Sequence, residues 1–108
     1  MSSLSTHVLD AVRGAPASGV HVELYVSEAG TWARLASAET DADGRAGFTE
    51  DLSLGSYRLE FATGAHFARW GVRTFYPEVV VSFVVADQPH YHVPLLLSPY
   101  AYSTYRGS

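Results

Sequence analysis

The sequence contains no cysteine, which excludes disulfide bonds and thiolate metal sites. It contains no lysine either: its seven basic residues are arginines scattered along a chain of formal net charge −4, so there is no basic footprint for nucleic acid. No apolar run approaches the length needed to span a bilayer, and the first residues lack the basic region and apolar core of a secretory signal. We therefore expect a cytoplasmic protein without a nucleic-acid or membrane partner.

What the sequence does contain is typical of a globular protein. Apolar residues make up 47% and charged residues 17% of the 108 residues, which argues against disorder. The length fits one compact domain, residues 1–108, burying about two-thirds of the surface of its unfolded form. Because such a core is small, further burial between subunits would help to stabilise it.

Short segments of alternating apolar and polar residues dominate the chain. Val20, Val22 and Leu24 share one face while the residues between them face the other way, which is the period of a half-buried strand. The same reasoning predicts strands at Leu4–Asp10, Val20–Val26, Trp32–Ala38, Ser56–Phe61, Val79–Val85, His90–Leu97 and Tyr100–Tyr105. Many short strands separated by turn residues indicate an all-β, antiparallel sandwich.

One segment departs from the alternation. Thr63–Trp70 has a candidate N-cap at Thr63 and apolar residues spaced as on a helix at Phe67 and Trp70. We therefore predict one short helix there.

The acidic segment Glu39–Arg45, followed by Glu50, nearly has the spacing of a calcium-binding loop. However, a glutamate stands at the first position, and the flanking segments indicate strands or loop where that motif requires two helices. The alternative is a turn at Asp43-Gly44 that joins two strands. It leaves Arg45 just past the turn, either directed into a cleft or solvated.

Histidines supply the other candidate chemistry. His90 and His92 share one face of a strand and could begin a zinc site, but the carboxylates or cysteines that usually complete such a site are missing nearby. His7 shares a strand face with Ser5 and Leu9. It is either a hydrogen-bonded structural residue or a group for proton transfer near neutral pH.

The C-terminal part of the chain is rich in tyrosine, which favours a subunit interface because tyrosine covers apolar surface and keeps a polar tip. The chain ends on Tyr105-Arg106-Gly107-Ser108, directly after a strand-like segment, and we expect this end to be ordered and used. Both interpretations hold if a strand pair buried between subunits also lines a cleft. The tyrosines concerned are Tyr91, Tyr100, Tyr102 and Tyr105.

Together these segments resemble a known family, the 5-hydroxyisourate hydrolases, which are the transthyretin-related enzymes of purine degradation. The matching segments are Leu4–Asp10, Asp43-Gly44-Arg45, Phe75-Tyr76-Pro77-Glu78, His90–Pro99 and the terminal Tyr105-Arg106-Gly107-Ser108. The terminal tetrapeptide is the signature that separates these hydrolases from the hormone carrier transthyretin. The resemblance implies a prealbumin-like sandwich of two four-stranded sheets with one short helix, assembled as a homotetramer, a dimer of dimers.

The resemblance also implies the site and the reaction. The site lies at the dimer–dimer interface, with His7, Arg45, His92 and Ser108 as catalytic residues; Tyr105, Arg106 and Gly107, with His7 and Arg45, bind substrate. The implied reaction is hydrolytic opening of the N1–C6 lactam of 5-hydroxyisourate, without a metal or an organic cofactor. His92, assisted by Ser108 or its carboxylate, would activate water, and Arg45 would hold the substrate oxygens. His7 would orient the substrate or deliver a proton, and His90 inherits no catalytic role.

Two other functions compete with hydrolysis. A transthyretin-like carrier would use the same channel for an aromatic ligand, and a non-catalytic β-sandwich could serve as an interaction module. The polar terminal tetrapeptide argues against the carrier, since a channel for an aromatic ligand has no use for it.

Overall fold

The computed structural model describes residues Met1–Ser108 and contains nine strands and one helix. The N-terminal half comprises β1 (Ser2–Asp10), β2 (Ala15–Pro16), β3 (His21–Glu28), β4 (Thr31–Glu39) and β5 (Arg45–Leu52). The C-terminal half comprises β6 (Gly55–Phe61), α1 (Thr63–Arg69), β7 (Val79–Val85), β8 (His90–Ser98) and β9 (Ala101–Thr104).

The strands form the two sheets of a sandwich. The first sheet has the order β4-β3-β6-β7. In the second sheet β1 is flanked on one side by β5 and the two-residue β2, and on its opposite side by β8, which is followed by β9. The expected pair of four-stranded sheets is confirmed, with β2 added beside the end of β1. The expectation of a wholly antiparallel sandwich is wrong. Strands β1 and β8 are parallel, with a register that runs from Ser3 opposite His90 to Asp10 opposite Leu97.

The core lies between the sheets and follows from the alternation in the sequence. Leu4, Val8, Leu24, Leu59 and Leu95 are each at most 1% exposed and belong to one cluster of 18 buried residues. The intervening residues of β1 lie on the outer face of its sheet. That outer face therefore remains available for polar side chains.

Apart from the added β2, the strands differ from the prediction by one missed strand and by shifts of one or two residues at several ends. Strand β5 was not predicted, since Glu50 stands among the inward-facing residues Phe48 and Leu52 and interrupts the apolar alternation. Strand β1 begins at Ser2 rather than Leu4, and Ser2 is buried with its hydroxyl donating to the carbonyl of Gln88.

The helix is confirmed, but its predicted N-cap is wrong. Ala62 occupies the N-cap position without a side-chain capping bond, and the Thr63 hydroxyl instead donates to the carbonyl of Tyr76 at 3.3 Å. Phe67 is buried, whereas Trp70 stands just past the helix and is 52% exposed. With seven residues, α1 is the only helix, and no helix has the length and apolar character to cross a membrane.

Candidate active site

Three adjacent strands bring the predicted residues to the outer face of one sheet. In the antiparallel register of β1 and β5, His7 lies opposite Arg45. In the parallel register of β1 and β8, Ser5 lies opposite His92. Because Ser5 and His7 are two residues apart on one strand, they share a face. The structure thus brings His7, Arg45 and His92 together from segments far apart in the chain.

A tight turn before β5 positions Arg45. The Asp41 carboxylate accepts hydrogen bonds from the backbone amides of Asp43 at 2.9 Å and Arg45 at 3.0 Å. The bond from Arg45 in particular, despite an opposing effect of desolvation, holds the pKa of Asp41 below its ordinary value. This geometry confirms the strand-joining turn, rather than the calcium loop, between Asp41 and Arg45.

Gly44 is required in this turn. Its φ is +76°, and a Cβ there would lie 2.4 Å from the carbonyl oxygen of Val8 on β1. The Gly44 carbonyl in turn accepts from the Val8 amide at 2.7 Å. The turn is therefore held directly against the strand that carries His7.

The same turn fixes one ring nitrogen of His7. Nε2 lies 2.9 Å from the backbone carbonyl oxygen of Asp43. A carbonyl only accepts, so Nε2 carries the proton and donates it. When the ring is neutral, Nδ1 is then the nitrogen with a free lone pair.

His92 is half-buried, and its Nδ1 is within 2.8 Å of the Ser5 hydroxyl. Burial lowers the pKa of His92, and the positive charge of Arg45, with the charges that His7 and His90 carry when protonated, lowers it further. The ring is therefore predominantly neutral at neutral pH, which is the state that can accept a proton.

The C-terminal tail contacts His92 through Gly107. The Gly107 amide donates to the His92 carbonyl at 2.8 Å, and the two residues form an antiparallel bridge. A Cβ on Gly107 would lie 2.6 Å from Cδ2 of the imidazole, so only glycine lets the backbone cover the ring this closely.

The other tail residues lie beside this contact. Tyr105 and Arg106 line a cavity of about 450 Å³ between the edge strand β7 and the end of the chain, together with Phe83, Tyr91 and Val93. Ser108 is exposed, and its side chain makes no hydrogen bond within the protomer. Within one chain, Gly107 therefore contacts the His92 ring, whereas Tyr105 and Arg106 line a cavity that does not include His92.

His90 has partners that the sequence did not suggest. Its Nε2 lies 3.0 Å from the same Ser5 hydroxyl that contacts His92, and its Nδ1 contacts the Ser3 hydroxyl. No three histidine, aspartate or glutamate side chains are grouped so that they could hold a metal ion. Within the chain, His90 and His92 therefore have no third protein ligand with which to form a zinc site.

Sequence reasoning missed Ser3 and Ser5 as site residues. The signal that could have found them is the alternation Ser3, Ser5, His7 on one strand beside His90, His92 on another. It becomes informative only once β1 and β8 are known to be parallel neighbours.

Comparison with known proteins places this geometry in a family. The family model described as HIUase/Transthyretin matches residues 4–107. The 5-hydroxyisourate hydrolase of Caulobacter vibrioides is 50% identical over 115 residues, covering 100% of this chain and 100% of that protein.

Solved structures agree with the match in sequence. The 5-hydroxyisourate hydrolase of Klebsiella pneumoniae superposes with a TM-score of 0.87 at 44% identity, covering 100% of this chain and 94% of the other. Sea bream transthyretin in complex with thyroxine superposes with a TM-score of 0.90 at 34% identity, covering 96% and 93%. The chain belongs to the HIUase/Transthyretin family, as the resemblance of its motifs predicted.

Proposed function

We propose that this chain, as one domain of residues 1–108, hydrolyses 5-hydroxyisourate by opening the N1–C6 lactam to 2-oxo-4-hydroxy-4-carboxy-5-ureidoimidazoline. The observation that carries the proposal is the convergence of His7, Arg45 and a neutral His92 on one sheet face. A relative named 5-hydroxyisourate hydrolase, 50% identical over the full length of both chains, supports the same reaction. Lactam hydrolysis needs a base for water, donors for the developing oxyanion and an acid for the leaving nitrogen.

We assign the base to His92. Its Nδ1 faces Ser5, and its Nε2 makes no hydrogen bond within the chain, which leaves that nitrogen for a water molecule. The lowered pKa keeps the ring neutral, and Gly107 packs closely against it on the Cδ2 side. In this scheme Nε2 takes the proton of water as the oxygen attacks the C6 carbonyl.

We assign the substrate oxygens to Arg45 and the leaving nitrogen to His7. A guanidinium presents a planar fork of donors that matches the ureido and carbonyl oxygens of the substrate. Because the Asp43 carbonyl occupies Nε2–H of His7, the nitrogen that faces substrate is Nδ1. A protonated Nδ1 can deliver the proton that the departing N1 requires.

The tail completes the proposed site. Tyr105, Arg106 and Gly107 bind substrate in this scheme, and Ser108 or its carboxylate assists His92. Gly107 supports the assignment through its contact with the His92 ring, and Arg106 and Ser108 flank that glycine.

We further propose a homotetramer, a dimer of dimers, with the histidine face in a channel between dimers. None of His7, Arg45 and His92 lines a cavity of the single chain, so a second subunit is needed to enclose them. Edge strands β7 and β9 expose apolar groups that pairing would cover, including Val84 at 65% and Tyr102 at 39% exposure. Light scattering after gel filtration tests the assembly, and cell fractionation tests the cytoplasmic location that we include in the proposal.

The test of the reaction is the decay of 5-hydroxyisourate absorbance, with the substrate generated in situ from urate. We expect the protein to accelerate this decay and exhaustive chelation to leave the accelerated rate unchanged. A rate equal to that without protein would refute the hydrolase. Activity lost on chelation and restored by zinc would return His90 and His92 to the role of metal ligands.

The likeness to sea bream transthyretin with thyroxine favours a second candidate, a carrier of an aromatic ligand. The two are separated by adding thyroxine to the same preparation. Micromolar binding without turnover of 5-hydroxyisourate would favour the carrier, whereas turnover without such binding favours the hydrolase. A protein with neither property fits the non-catalytic interaction module.

A further inference from the structure

A continuous chain of hydrogen bonds runs along the outer sheet face away from His92. Nδ1 of His92 contacts the Ser5 hydroxyl at 2.8 Å, and that hydroxyl contacts Nε2 of His90 at 3.0 Å. Nδ1 of His90 then contacts the Ser3 hydroxyl, whose oxygen lies 3.4 Å from the Pro89 carbonyl. The chain begins at the half-buried base of the proposed site and ends on exposed groups.

The donors have two arrangements in which Ser5 donates in one of its two imidazole contacts and accepts in the other. A hydroxyl has one proton to donate, and a neutral imidazole has one donor and one acceptor nitrogen, so fixing one bond fixes the direction of the others. In one arrangement His92 donates from Nδ1 to Ser5, Ser5 to His90, His90 to Ser3, and Ser3 to the Pro89 carbonyl. In the other the three bonds between serines and imidazoles are reversed, Ser3 gives up its bond to the Pro89 carbonyl because its one proton goes to His90, and the proton of His92 sits on Nε2.

Only the first arrangement leaves His92 competent as a base. It places the free lone pair on Nε2, the nitrogen that has no partner in the chain, and it ends on a carbonyl that accepts. It also remains intact when Nε2 takes a proton, because Nδ1–H continues to donate to Ser5. The reversed arrangement blocks Nε2 with its own hydrogen.

We propose that Ser5, backed by His90 and Ser3, is the positioning residue that holds His92 as the Nδ1–H tautomer with Nε2 free. This inference rests on the proposed function for its catalytic consequence, but not for the tautomer itself. Ser5 is suited to this role because the parallel register sets it directly opposite His92. Gly107 complements it by covering the ring, so that the orientation of the imidazole is fixed from two sides.

The experiment compares Ser5→Thr with Ser5→Val, side chains of nearly equal shape of which only threonine keeps the hydroxyl. In ¹⁵N-histidine NMR spectra without substrate, we expect Nδ1–H of His92 in the wild type and Ser5→Thr, and a gain of the Nε2–H form in Ser5→Val. The same tautomer populations in all three proteins would overturn the proposal. Because the NMR measurement needs no turnover, it tests the tautomer control by Ser5 separately from the proposed hydrolase activity.

Kinetics supply the second readout. We expect Ser5→Val to lower kcat about 10- to 100-fold with little change in KM, the range for losing one hydrogen bond to an imidazolium. Ser5→Thr should stay near the wild-type rate, and Ser37→Val, at an exposed position of β4 in the other sheet, serves as the control. Equal rates for the threonine and valine variants would contradict the role of the hydroxyl.

The pH profile distinguishes tautomer control from a general loss of structure. Ser5 accepts from Nδ1–H and so favours imidazolium, and its removal should move the acid limb of kcat/KM to lower pH. Burial and the charges of Arg45 on β5, His7 on β1 and His90 on β8 act in the opposite direction and lower the pKa of His92, and these three groups all remain in the variant. A reduced rate with an unmoved acid limb would indicate a structural effect and overturn the proposal.

A double-variant cycle tests whether His90 acts through Ser5. Because both belong to one chain of bonds, Ser5→Val with His90→Leu should lose little more than Ser5→Val alone. Losses of kcat that multiply in the double variant would show that His90 and Ser5 act independently and would refute this coupling. If circular dichroism shows that Ser5→Val disturbs the sheet, Ser5→Ala takes its place in all of these experiments, because alanine removes the hydroxyl with a smaller side chain.

Discussion

The imidazole of His92 is the group on which the proposed chemistry depends. Its pKa is lowered by burial and by the neighbouring cations, so it is ready to accept a proton near neutral pH. As the pH falls through this lowered pKa the base becomes protonated, and activity is lost at acid pH. The lowering therefore extends the active range toward acid.

Loss of either site histidine should affect turnover far more than folding. We expect His92→Asn and His7→Asn each to lower kcat at least about 100-fold, as for removal of a general acid–base group. His21→Asn, at an exposed position on β3 in the other sheet, is the matched control and should keep its rate. Full activity in both site variants, or unfolding of both in circular dichroism, would end the catalytic assignment.

Arg45 should resist conservative replacement. Lysine keeps the charge of Arg45 but loses the fork of donors that can hold a planar substrate in one orientation, so we expect Arg45→Lys to lower kcat/KM at least about tenfold. Arg34→Lys, in an exposed salt bridge with Glu23 on the other sheet, controls for the exchange itself. Wild-type rates for Arg45→Lys would mean that this arginine is a solvated turn residue.

At the scale of elements, a buried cluster joins the end of β1 to α1. Asp10 and His66 have side chains only 1% exposed and lie 2.8 Å apart, with Nε2 of His66 donating to the carboxylate. Arg69, the last residue of α1, donates to Nδ1 of His66 at 3.3 Å and to the Ser18 carbonyl at 2.8 Å. Since arginine only donates, Nδ1 of His66 accepts, and Nε2 carries the hydrogen that is donated to Asp10.

This cluster predicts an acid-sensitive contribution to stability. Burial raises the pKa of Asp10, but hydrogen bonds from His66 and the amides of Arg13 and Val12 outweigh it, and the net pKa lies below the ordinary 3.8. The contribution is therefore complete above that value and is lost as pH falls through the lower folded-state pKa. We expect Asp10→Asn to cost about 1 to 3 kcal/mol of unfolding free energy at neutral pH.

Urea unfolding at several pH values measures this contribution. The deficit of Asp10→Asn relative to wild type should shrink below about pH 4, where the wild-type carboxylate also becomes protonated. Asp51→Asn, at an exposed position of β5, should differ little from wild type. A deficit that is constant with pH would contradict an ionised Asp10.

The sequence indicates most elements because their local patterns are strong. Val79–Val85 matches β7 residue for residue, and the alternation around Val22 and Leu24 identifies β3. Strand β5 was missed because Glu50 interrupts its apolar alternation. The Ser5 contacts with His90 and His92 were missed for another reason: they join residues more than 80 positions apart, and alternation assigns a face but not a neighbour.

At the scale of the whole molecule, the two ends of the chain have different surroundings. Met1 is 77% exposed and makes no side-chain hydrogen bond, although Ser2 directly after it is buried. The other end follows β9, lines the cavity with Tyr105 and Arg106, and covers His92 with Gly107. An addition before Met1 therefore projects into solvent, whereas one after Ser108 extends from the proposed site.

This asymmetry predicts opposite effects of terminal changes. We expect a C-terminal tag, or deletion of Arg106–Ser108, to abolish catalysis, because Gly107 would be displaced from the His92 ring or removed and the carboxylate of Ser108 lost. A tag before Met1 should leave turnover nearly unchanged. Turnover of 5-hydroxyisourate is compared at equal concentrations of assembled protein, determined by light scattering, so that a loss of chemistry is distinguished from a loss of subunit contacts. Full activity in the C-terminally tagged protein would make the tail an interface element, and His7, Arg45 and His92 would then have to carry the reaction without it.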